Sequence, residues 1–148
     1  MTPRRAIAQL LSASLIALTL AAASLPGTAD EPALSDGMRA MKVQLKALTA
    51  ALQGPLINEP QALSALSELQ VLTIKAKRGD PPHIDEFAPK RQLATRKAFK
   101  TQLARLLQEL AAIEIEVLNG EYAQAVVRIR SGLLPLRDAA HEKFESPV

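Results

Sequence analysis

Cysteine is absent from this chain of 148 residues, which excludes disulfides, thiolate zinc sites, iron–sulfur clusters, cysteine nucleophiles and thioether-linked haem. Any cofactor must be held in another way. Tryptophan is also absent and aromatic residues reach only 3%, too few for the stacking platforms that bind single-stranded nucleic acid. Histidine occurs twice, as His83 and His141, so sites that need three imidazoles from one chain are ruled out. There is no Gly-rich phosphate loop, no nucleophile elbow and no alternating strand pattern. What is present is a globular composition, 48% hydrophobic and 22% charged, at a length that fits one domain.

The formal net charge of +3 is unevenly placed. Arg4 and Arg5 precede an apolar run from Ala6 to Leu25, which ends in Pro26-Gly27-Thr28-Ala29. A positive start, an apolar stretch and small residues at its end form the pattern of a secretory signal peptide over residues 1–29, cleaved after Ala29 or, alternatively, after Ala23. Ser12, Ser14, Thr19 and Pro26 favour cleavage over a retained membrane anchor. Without Arg4 and Arg5 the exported domain, residues 30–148, carries 16 basic against 15 acidic residues. A nearly neutral domain gives nucleic acid no electrostatic footing. The expectation is a periplasmic protein with no stable membrane insertion, and a monomer is favoured.

Leu, Ala, Gln, Glu and Lys dominate the exported part and bias it toward helix. Periodicity turns that bias into an architecture. Leu34, Met38, Met41, Leu45, Leu48 and Leu52 alternate steps of four and three, with Ser35 and Asp36 as helix-start chemistry and Gly54-Pro55 as the stop. A second helix runs from about Pro60 through Leu63, Leu66, Leu69 and Leu72 to Lys77, before Gly79-Asp80-Pro81-Pro82. Phe99, Leu103, Leu106, Leu110, Ile113 and Val117 mark a third, closed by Asn119-Gly120, and Tyr122, Val126, Ile129, Leu133, Leu136 and Ala140 a fourth. Pro135 conflicts with that last helix and should bend it. Four single-seam helices with short connections predict an all-α, up-down-up-down antiparallel four-helix bundle.

Chain order in such a bundle brings the start of the first helix to the end of the fourth. Met38 and His141 then lie at the same end and at similar depth. A thioether facing an imidazole across an apolar crevice is an axial pair for haem iron, which makes these two the candidate metal ligands. Met41 lies three residues, about 4.5 Å of helix rise, deeper than Met38. His83 falls in the proline-bounded loop after the second helix and is set apart from the pair.

Leu34-Ser-Asp-Gly-Met38 with Leu45-Lys46, and Leu136-Arg137-Asp-Ala-Ala-His141-Glu-Lys-Phe144, resemble the first and last helices of the cytochrome b-562 family of periplasmic haem proteins. Pro81-Pro82 after the second helix and Asn119-Gly120-Glu121 before the fourth extend the resemblance over residues 34–144. It implies one non-covalent b-type haem per chain, ligated at Met38 and His141, and electron transfer with redox partner proteins. It also implies that Phe99 packs on the haem, with Leu103 at a second aromatic position and Arg137 near the porphyrin edge. Related c-prime cytochromes attach haem through two cysteines, and here Arg137 and Ala140 stand in those places.

Enzyme chemistry finds little to use. Asp138-x-x-His141 resembles half of a di-iron motif, but such bundles need a second copy and further inward glutamates. The alternative from another class is a haem-free periplasmic bundle that binds a partner or senses stress. Residues 75–105 hold nine basic against three acidic residues, either a docking face for an acidic partner or a solvated surface.

Overall fold

A computed structural model describes residues 31–145, with side chains from Asp36 to Phe144. The signal-peptide expectation for residues 1–29 lies outside the described residues. The described chain is all-helical. Helix α1 spans Glu31–Gln53, α2 Glu59–Arg78, α3 Pro89–Leu118, α4 Tyr122–Arg128 and α5 Leu134–Glu145. A π-turn, Ile129–Leu133, joins α4 to α5, and a 3-10 turn, Ile84–Glu86, sits in the loop between α2 and α3. No described helix is long and apolar enough to cross a membrane.

Local chemistry explains most of these boundaries. Asn58 caps α2 by accepting from the Gln61 backbone N–H at 3.1 Å, and Pro60 sits in the first turn, where its missing N–H costs nothing. Pro89 starts α3 in the same way. Gly120, at φ 75, turns the chain between α3 and α4 in the left-handed region that glycine enters freely. Helix α1 is already helical at Glu31, the first described residue, and so runs upstream of the start that Ser35 and Asp36 indicate.

Pro135 does not end the last helix. Its nitrogen cannot donate to the carbonyl of Ser131, and its ring would press on that carbonyl in a regular helix. The chain widens instead, with the Leu134 N–H reaching back five residues to the Ile129 carbonyl. Gly132 lies in this wide turn, where an added Cβ would stand 2.7 Å from Glu109 Oε2. Its missing side chain lets Glu109 of α3 come close, within 3.5 Å of Arg128 Nη1. Arg128 Nε also donates to Glu116 Oε1 at 2.7 Å, and the two carboxylates raise the guanidinium pKa, Glu116 foremost.

Helix α1 packs on α2, α2 on α3, and α3 on α4 and α5, while α1 reaches α4. The main core contains Leu45, Leu48 and Leu52 of α1, Leu66 and Leu69 of α2, Leu110, Ile113 and Val117 of α3, and Ile129 and Leu133 of the π-turn. Ala51, Ala62, Ala65 and Ala125 are buried among them and allow close approach of the helices. Leu72, expected in the seam of α2, is only half-buried. Thr73 takes the buried position, its hydroxyl donating to the Leu69 carbonyl at 2.7 Å, which satisfies it without water. A second cluster joins Phe99 and Leu103 to Phe144.

Leu48 is fully buried, so Leu48→Ala should cost about 2–5 kcal/mol, whereas Val43→Ala on the exposed face should change stability by less than about 0.5 kcal/mol. Paired urea melts measure both. Tyr122 Oη donates to Glu59 Oε2 at 2.5 Å, and this bond, with some burial and the carboxylate's charge, raises the phenol's pKa. The bond needs the neutral phenol. Its contribution is therefore complete below about pH 10 and is lost as pH rises through the folded-state value. Tyr122→Phe should lower the urea midpoint at neutral pH, and the gap to the wild type should close in alkaline buffer.

Candidate functional site

Beyond Leu45 and Leu69 the core stops filling the space between the helices. The side chains that follow are Met38 and Met41 on α1 and Thr73 on α2, and they leave a cavity of about 640 Å³. That volume lies within the range of small-molecule and cofactor sites. Leu45, Leu69, Leu106, Leu110 and Leu133 form the apolar walls, and Met38, Met41, His83 and His141 bring soft and imidazole donors to them. Met38 is half-buried, whereas His141 is exposed at the mouth.

Every formally charged side chain among the described residues lining the cavity is basic: Arg39, Lys42 and Arg137. Arg39 lies 3.8 Å from Asp36, with both side chains mostly exposed, an ion pair that water screens heavily. Arg137 donates from Nε at 2.8 Å and from Nη2 at 2.5 Å to Asp138 Oδ1. An apolar chamber lined also by basic side chains suits an apolar ligand that carries negative groups.

Met38, Arg137 and His141, singled out from the sequence, thus share one cavity. Met41, three residues further along α1, lines it too. Phe99 and Leu103 are placed differently from what the family resemblance implies. They do not line the cavity; Phe99 packs edge-on against Phe144, ring centroids 5.2 Å apart, because the last turn of α5 offers it a buried aromatic partner. That edge-to-face contact clamps α3 to α5 beside the chamber.

His83, set apart in the sequence reading, is a correction: its loop borders the same cavity. Gly79 closes α2, and Asp80 accepts from Arg96 Nε at 2.9 Å, tying the loop to α3. Gln92 Nε2 donates to the Phe87 carbonyl at 2.8 Å, and Arg91 lies 4.4 Å from the centre of the Phe87 ring. Part of the basic surplus in residues 75–105 therefore orders this loop. Chain order held the missing clue, since in an up-down bundle the end of the second helix would meet the start of the first.

The chamber should bind anilinonaphthalene sulfonate, an apolar dye with one negative group, in the folded protein. Arg137→Glu should weaken that binding about tenfold, near 1.4 kcal/mol. A fluorescence titration of both proteins measures it, and equal affinity would remove the rim from the binding site.

No protein-family model and no curated protein matches this chain, so the chemistry of the cavity carries the functional reading.

Proposed function

We propose that this chain is a periplasmic electron-transfer protein that holds one non-covalent b-type haem between Met38 and His141. The observation that carries the proposal is the shared cavity: a thioether and an imidazole on its wall, leucines around them and, among the described residues that line it, formal charges that are all basic. The donor set fits haem iron, the leucines fit a macrocycle, and Arg39, Lys42 and Arg137 fit its two propionates. Non-covalent binding follows from the missing cysteines. The periplasmic location rests on the sequence pattern of residues 1–29.

We also read the fold as an up-down-up-down antiparallel four-helix bundle. Two observations support this. The start of α2 meets the start of α4 through Glu59 and Tyr122. Met38 near the start of α1 shares its cavity with Pro82, just past the end of α2, and with His141 near the end of α5.

The bound group supplies a reversible one-electron change between ferric and ferrous iron. His141 and Met38 would hold the group and fix its position, and with both engaged as ligands the reading is of a carrier rather than an enzyme. The leucine walls would give the group an apolar surface to lie against. A thioether ligand favours the ferrous state relative to a second imidazole, which sets a comparatively high potential.

Titration of the purified protein with haem should give a one-to-one, low-spin visible spectrum. Acid and organic solvent should then extract all the pigment and leave colourless protein. His141→Ala should lose the low-spin spectrum or haem binding altogether. A folded wild type that takes up no haem would sink the proposal and leave the haem-free, partner-binding bundle as the reading.

A further inference from the structure

Helix α3 carries its charges in the order that its own backbone opposes. All six of its basic residues, from Lys90 to Arg105, precede all three of its acidic ones, from Glu109 to Glu116. A helix dipole favours acids at the N-terminal end and bases at the C-terminal end, yet the first turn of α3 has no acid and its last turn no base. Helix α2 shows the favoured order, with Glu59 in its first turn and Lys75, Lys77 and Arg78 in its last. The reversal in α3 costs stability, so the fold itself does not call for it.

The acids of α3 are held by the bundle: Glu114 accepts from Gln70 Nε2 at 2.7 Å and Glu116 from Arg128 Nε at 2.7 Å. The bases face outward. Lys90, Leu93, Lys97 and Lys100 step by three, four and three, which sets them on one stripe about 15 Å long. All four are exposed, Leu93 by 71%, while Phe99 and Leu103 are buried. Asp80 accepts from Arg96 Nε at 2.9 Å, which brings the basic last turn of α2 beside this half of α3. Asp80 is thereby occupied, and the other acids nearby, Asp85 and Glu86, stand in the loop before α3. Arg96 is engaged by Asp80 and Arg91 lies 4.4 Å from the centre of the Phe87 ring, so the stripe is left to lysine. Lysine is a flexible point charge without the directional fork of arginine, and it is depleted at protein–protein interfaces. Such charges around an exposed apolar side chain match a sheet of anionic headgroups.

We propose that this face of α3, together with the end of α2, is a docking surface for an anionic phospholipid bilayer, on which the bundle rests peripherally. The inference is independent of the haem reading.

The test uses residues 30–148, which hold every described helix but the cut-off start and both core clusters and omit the apolar run Ala6–Leu25, which would partition into any bilayer. Binding is measured by co-sedimentation with vesicles of phosphatidylcholine alone and with vesicles that are one-third phosphatidylglycerol. The wild type should bind only the second kind, and should be released in about 1 M salt, where the Debye length falls to about 3 Å. Each lysine near an anionic surface strengthens binding about fivefold, so Lys97→Gln/Lys100→Gln should weaken it about 25-fold. Lys46→Gln/Arg130→Gln makes the same change of net charge away from the stripe and should weaken it far less. Lys90→Glu should also weaken binding without lowering the urea midpoint, because it places an acid in the first turn; loss of binding is then separate from loss of fold. Equal binding to both kinds of vesicle, or equal weakening by the two double variants, overturns the inference. A chain that ignores phosphatidylglycerol but binds polyglutamate through Lys97 and Lys100 overturns it in favour of an acidic protein partner.

Discussion

Complete burial of Leu48, Leu66, Ile113, Val117 and Ile129 brings α1, α2, α3 and the π-turn to one meeting point, and the remaining structure is arranged around it. Aliphatic side chains of similar size, with Ala62, Ala65 and Ala125 between them, let the helices approach closely. The chain has few aromatics with which to fill a widening gap. Where Leu45 and Leu69 give way to Met38, Met41 and Thr73, packing ends and the chamber begins. The cavity is therefore a product of the same seams that make the core, extended one turn past the point where their leucines end.

Polar contacts then fix what the seams leave undetermined. Glu116 is buried, and the bond from Arg128 of α4 supplies a charged partner for one of its carboxylate oxygens. Tyr122 and Glu59 join two helix starts, while Asp80 and Arg96 hold the His83 loop against α3. Between them the polar ties reach both the closed end and the open end.

Single-seam periodicity made the helices legible, because apolar steps of three and four have few other structural solutions. Ser35 and Asp36 misled at the start of α1, since good capping residues are also tolerated inside a helix. Pro135 announced a conflict, but its resolution as a π-turn depends on a hydrogen bond five residues back, which no residue type encodes. Met38 and His141 were brought together by chain order alone. His83 was not, because the path of its loop depends on contacts from Arg96 and Gln92 that lie beyond the loop itself. The partnership of Phe99 with Phe144 was equally hidden: each lay in its own seam, and only packing of α3 on α5 decides that the rings meet.

The π-turn at Ile129–Leu133 acts as a spacer as well as a response to Pro135. Leu133, Arg137 and His141 all line the chamber, and their phase relative to the buried Ala125 and Ile129 includes the extra backbone of that wide turn. Straightening it to a regular helix with the same number of residues would carry every later side chain about 100° around the axis and drive Pro135 against the backbone. Homologous chains that lack the bulge would therefore need a compensating change of helix length to present a histidine to the same chamber.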